Sequence, residues 1–80
     1  MKVQFSGIIE EIHEREYNGK LYTDLVIIRD DADKYGERIP LYPRCAVKEG
    51  AAVMTLSIKR SWDDARRRYD WRVNICEVKQ

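Results

Sequence analysis

Apolar and polar residues alternate along most of this chain with the two-residue period of half-buried strands. Val3, Phe5, Gly7 and Ile9 form the first such run. Its phase slips after Glu10-Glu11, and Ile12 falls on the other parity. A helix from Ile8 would also put Ile9 and Ile12 on one face. The favoured reading is one long strand, Lys2 to Tyr17, with a bulge near Glu10 that bends it between two sheet layers. No helix stop follows. Instead Tyr17-Asn18-Gly19-Lys20 carries the Asn-Gly pair that a two-residue type I′ hairpin requires.

Leu21 to Arg29 continues as a second strand, apolar in part on both faces and so central or covered on each side. Residues 30–36, DDADKYG, form a polar turn. Glu37 to Tyr42 is a short third strand with Ile39 and Leu41 inward, which Pro40 and Pro43 restrict to a sheet edge. Arg44 to Gly50 is a connection with room for one helical turn. Ala52, Met54, Leu56 and Ile58 define a fourth strand. Trp71, Val73 and Ile75 define a fifth, and their shared parity assigns Trp71 to the core. Val78 is off phase, which implies a second slip near the end of that strand.

Five short antiparallel strands, the first long and bent, predict an all-β fold in one domain: a small five-stranded barrel with little or no helix. The order of long strand, tight hairpin, short strand, connection and final hairpin suits an oligonucleotide-binding (OB) barrel with a protruding 4–5 hairpin. An SH3-like barrel is the nearest rival. At 80 residues the chain has little core, so barrel closure and self-association would both help it.

Composition narrows the function classes. There is no apolar run long enough for a bilayer, and MKVQFSGII carries no signal-peptide pattern, so a cytoplasmic protein without a membrane role is expected. Cys45 and Cys76, without a CxxC, read as two reduced thiols. The net charge of +1 conceals an asymmetry: −2 over residues 1–54 and +3 over residues 55–80. Basic charge therefore gathers where both tryptophans stand, and a local stripe of this kind can steer a phosphate backbone.

Catalytic chemistry finds little support. His13 is the lone histidine, on an exposed-looking strand beside Glu11, Glu14 and Glu16. The set of one histidine and two separated cysteines does not make a zinc site, and no phosphate loop or nucleophile elbow is present. Asp31, Asp33, Tyr35 and Gly36 match the start of a calcium loop, but Tyr42 stands where its bidentate glutamate belongs. A solvated turn is the reading adopted. The expectation is a protein that is not an enzyme, with no metal, cofactor or small-molecule substrate.

The richest stretch is Ile58 to Ile75. Lys59, Arg60, Arg66, Arg67, Arg68 and Arg72 interleave there with Trp62, Tyr69 and Trp71. Cations meet phosphates and flat rings stack on bases, so the pattern suits a single-stranded nucleic acid. Asp63, Asp64 and Asp70 offset part of that charge, and Ser61-x-x-Asp64 could cap a helical turn at the tip. A second surface is the outer face of strands 2 and 3: Tyr22, Arg38, Tyr42 and Arg44, with Lys20 at the hairpin. In an OB barrel that face and the 1–2 and 4–5 loops form one groove. The two stretches should therefore converge.

Asn18-Gly19-Lys20-Leu21-Tyr22 is similar to the GKxY hairpin of the single-stranded DNA-binding, helix-destabilising proteins of filamentous phages. The resemblance covers about five residues. It implies an OB-like fold, a homodimer joined through the C-terminal hairpin, a replication role in a phage or virus, and stacking of DNA on Tyr22. The basic positions that family places before its hairpin are not matched, since Tyr17 and Ile12 stand roughly there. The partner expected is single-stranded DNA or, as the next choice, RNA. The other class of partner is a protein, bound by the charged hairpin with its tryptophans as anchors.

Overall fold

The computed structural model describes residues 1–29 and 34–80. Two ligand positions of the calcium-loop pattern, Asp31 and Asp33, lie outside the described residues. Five strands follow one another: β1 (Lys2–Tyr17), β2 (Lys20–Ile28), β3 (Glu37–Leu41), β4 (Gly50–Asp63) and β5 (Arg68–Lys79). They close into a barrel in the order β1-β2-β3-β5-β4, with every pair antiparallel except β3 with β5. This is the small OB-like barrel expected from the strand pattern. Among the described residues there is no helix, so the helical turn allowed for at residues 44–50 is absent. That segment is held instead by side chains. The Lys48 N–H donates to Gln80 Oε1 at 3.0 Å, Gln80 Nε2 donates to the Lys48 carbonyl at 2.6 Å, and Val47 packs on the core.

Both phase slips are real bulges. Ile9 pairs with Ile27 and Glu11 with Val26, leaving Glu10 as the extra residue of β1. Likewise Thr55 pairs with Glu77 and Leu56 with Ile75, so Cys76 is the extra residue of β5. An extra residue restores inward parity beyond it. Ile12 and Val78 accordingly pack against a core of Ile9, Leu25, Ile27, Leu41, Ala52, Met54 and Ile75. The first bulge lets one strand serve both β4 and β2, which is how five strands enclose this core.

The β1–β2 turn follows from its two residues. Asn18 has φ 51° and Gly19 has φ 75°, the pair of positive values that type I′ needs and that Asn and Gly adopt at least cost.

The predicted edge strand β3 is instead where the barrel closes. It pairs with β2 from Glu37 to Leu41, but with β5 only at Leu41–Ile75, where the Tyr42 N–H donates to the Ile75 carbonyl at 2.9 Å. Alternation gives Pro40 the next bond towards β5, and proline has no N–H to make it. The seam stays one rung long.

At the other side β4 outruns its neighbour. Its pairing with β1 ends where Ser57 meets Lys2, and the Ile58 N–H and carbonyl are taken by Met1. Beyond this, β4 and β5 continue as a two-stranded ribbon to Asp63–Arg68. The assignment of Trp71 to the core is thereby corrected. It shares the parity of the buried Ile75, yet it is 68% exposed, and Val73 is 40% exposed. Both lie on the arm, where the inward face has no opposite layer to cover it.

Candidate nucleic-acid interface

The arm's register decides which of its residues can act together. Directly opposed residues share a face, so Ile58, Arg60, Trp62, Tyr69, Trp71 and Val73 lie on one side of the ribbon. Lys59, Ser61, Asp63, Arg68, Asp70 and Arg72 lie on the other. Interleaving of rings and cations in the sequence therefore separates them in space, because neighbours along a strand point opposite ways. Arg60 is the exception, with its guanidinium 4.5 Å above the Tyr69 ring. Trp62 meets Tyr69 edge to face at 5.1 Å, and its indole N–H donates to Asp64 Oδ1 at 2.7 Å. The aromatic face is thus a pre-formed, largely exposed platform.

At the tip, Asp63 rather than Ser61 is the acceptor. Its Oδ1 receives the Ala65 and Arg66 N–H groups at 3.0 and 3.3 Å, and Arg67 closes the turn at φ 52°. Arg66 lies 3.9 Å from both Asp63 and Asp70, and Arg68 lies 3.5 Å from Asp70. Such exposed pairs contribute about 0–1 kcal/mol each, and Asp63 and Asp70 offset the charge that Arg66 and Arg68 would offer a phosphate. Lys59, Arg67 and Arg72 have no carboxylate partner among the described residues.

The polar face of the arm runs into the outer face of the barrel. Arg72, Val73 and Asn74 line one hollow with Arg15, Tyr22, Pro40 and Tyr42. A second hollow of about 480 Å³ continues past Tyr22 and Tyr42 to Lys20, Pro43 and Arg44. Together they make one groove across the ends of β2 and β3, with Tyr22 and the 70% exposed Tyr42 along it. Asn74 Nδ2 donates to the Tyr42 carbonyl at 2.8 Å and fastens the root of the arm to that wall.

Two of the candidate arginines are already occupied. Arg38 Nε donates to Asp24 Oδ2 at 3.0 Å. Arg44 Nε donates to Thr23 Oγ1 at 3.0 Å, and its Nη2 reaches Glu14 at 3.4 Å. Arg44 thus stands at the end of the barrel near the β1–β2 hairpin, while Arg38 braces the groove floor. The groove also holds a cation that the strand pattern did not single out. Arg15 lies 3.7 Å from Asp24 and 5.4 Å from the Tyr22 ring centroid. The signal for it was the hairpin itself, since a two-residue turn after Tyr17 pairs Arg15 with Tyr22.

Of the sites named from sequence, the groove gathers Lys20, Tyr22, Tyr42, Arg44 and Arg72. Trp62, Tyr69 and Arg60 are on the far face of the arm, and Arg66, Arg67 and Arg68 surround its tip. Among the described residues no cluster of His, Cys, Asp or Glu could hold a metal ion, and no helix is long and apolar enough to cross a membrane. His13 Nε2 and Glu11 Oε2 are 2.7 Å apart on the outer side of β1. Comparison with protein-family models, curated proteins and solved structures finds no match to this chain.

Proposed function

We propose that this protein binds single-stranded DNA without catalysing a reaction on it, and that it does so as a homodimer. The observation that carries the reading is the continuous groove in which Tyr22 and Tyr42 stand among Arg15, Lys20 and Arg72. OB barrels bind oligonucleotides on the face of strands 2 and 3 between the 1–2 and 4–5 loops. Rings on that face offer stacking worth about 1–3 kcal/mol per base with little regard to sequence, while the cations track the backbone. A local positive stripe suffices, because counterion release depends on the phosphates contacted and not on the protein's total charge.

Titration of fluorescein-labelled oligo(dT) tests this. Binding should raise the fluorescence anisotropy of the label at micromolar protein in low salt and weaken steadily as salt rises. Absence of any signal in low salt would sink the proposal. A parallel titration with oligo(U) decides between DNA and RNA as the preferred strand.

The aromatic face of the arm favours a protein contact. Trp62, Tyr69 and Trp71 form an exposed patch on the face of the arm opposite Arg72, and aromatic residues of this kind dominate interface cores. A second copy of the chain is the partner proposed, with a different protein as the alternative; size measurement of the purified chain separates them.

A further inference from the structure

Asp24 is an odd occupant for a groove that meets phosphates. It sits on the outer face of β2, two residues from Tyr22, and is 7% exposed. Both of its cationic neighbours use the same oxygen: Arg38 Nε at 3.0 Å and Arg15 Nε at 3.7 Å approach Oδ2. Oδ1 has no hydrogen bond among the described residues. Among the described residues no side-chain polar atom is both buried and unpartnered, so Oδ1 keeps some exposed surface, and Asp24 is part of the groove lining.

A carboxylate acceptor in the groove lining suits one kind of base edge. Residues i and i+2 of a strand lie on one face roughly 6–7 Å apart, about the width of a pyrimidine. A base stacked on Tyr22 can therefore bring its edge over Asp24. Cytosine offers an N4 amino donor there, whereas thymine offers its O4 acceptor, which a carboxylate repels. Resting on the strand-binding reading above, we infer that Asp24 is a specificity-determining residue that selects amino-bearing bases, cytosine over thymine, at the Tyr22 position. Arg15 and Arg38 both approach Oδ2, which leaves Oδ1 for the base.

The substitution Asp24→Asn gives this a sharp consequence. Arg38 Nε still needs an acceptor, so the new amide must turn its carbonyl to Arg38 and present its NH2 to the groove. The acceptor becomes a donor. The test measures affinity of fluorescein-labelled oligo(dC) and oligo(dT) of equal length at pH 8 and fixed salt, for the wild type and for D24N. The wild type should bind oligo(dC) roughly tenfold to a hundredfold more tightly, the worth of one charge-assisted hydrogen bond. D24N should lose or invert that ratio. A third oligonucleotide carries 2-pyrimidinone, which is cytosine without its amino group. It should bind the wild type no better than oligo(dT) does, and this arm holds whether or not D24N folds. Equal affinity of the wild type for all three overturns the inference while leaving strand binding intact. A ratio unchanged in D24N would reduce Asp24 to a positioning residue for its arginines. If no oligonucleotide binds, the strand-binding reading itself fails.

Discussion

The Arg15 guanidinium stands 5.4 Å from the centroid of the Tyr22 ring, directly across the β1–β2 hairpin. The pair makes a flat, cationic step on the outer face of the sheet, and the ring supplies the stacking surface. Tyr22→Ala should weaken oligo(dT) binding by about 1–3 kcal/mol, whereas Tyr22→Phe should keep most of the affinity, since stacking uses the ring and not the hydroxyl. Fluorescence titration of both variants checks this, with melting curves to confirm that each barrel is intact.

Arg72 and Arg68 lie on the same face of the arm but differ in their partners. Arg68 is 3.5 Å from Asp70, and Arg72 is without a carboxylate partner among the described residues. The slope of log affinity against log salt should therefore fall by about 0.7 in Arg72→Ala, the value for one phosphate contact to a single strand. Arg68→Ala should change it less. Equal slopes for the two variants would contradict the placement of the strand along the groove.

Trp71, 68% exposed on the far face of the arm, should matter for association and not for stacking. Trp71→Glu is expected to shift the protein from dimer to monomer in sedimentation while the barrel's melting temperature holds. A wild-type chain that sediments as a monomer at high concentration would count against pairing through this face.

In the core, Met54 is fully buried. Met54→Ala should cost about 2–5 kcal/mol in urea unfolding, a large share of the stability of so small a domain. Gly7→Ala should be costly for a different reason. An added Cβ would lie 2.9 Å from the Ile28 carbonyl oxygen, and the backbone there has little room to yield.

Much of this barrel could be read from parity alone. The slips after Glu10 and before Val78 mark its two bulges, and Asn18-Gly19 marks its tight turn. Parity assigns a residue to a face, however, and burial needs a second layer over that face. Trp71 has the parity of Ile75 without the cover, because the β1–β4 pairing stops at Lys2 and Ser57 while β4 and β5 run on together. The same rule explains why rings and arginines that look interleaved in the sequence occupy opposite sides of the ribbon. Arg15 became visible only once the hairpin register paired it with Tyr22. The single rung between β3 and β5 joins residues far apart in the chain, and nothing local to either segment announces it.

That single rung works as a clasp. The Tyr42 N–H to Ile75 carbonyl bond and the Asn74 amide to Tyr42 carbonyl bond fasten the groove wall to the root of the arm beside the Leu41–Ile75 pairing. Local opening has its lowest free energy where the fewest backbone bonds must break, so the barrel should unfasten here first. Deuterium should then enter at the Tyr42 amide well before the β1–β4 and β4–β5 ladders exchange. An oligonucleotide that touches Tyr42 and Arg72 together would span the clasp and slow that exchange. A strand held across Tyr42 and Arg72 would complete a closure that the backbone, lacking an N–H at Pro40, leaves short.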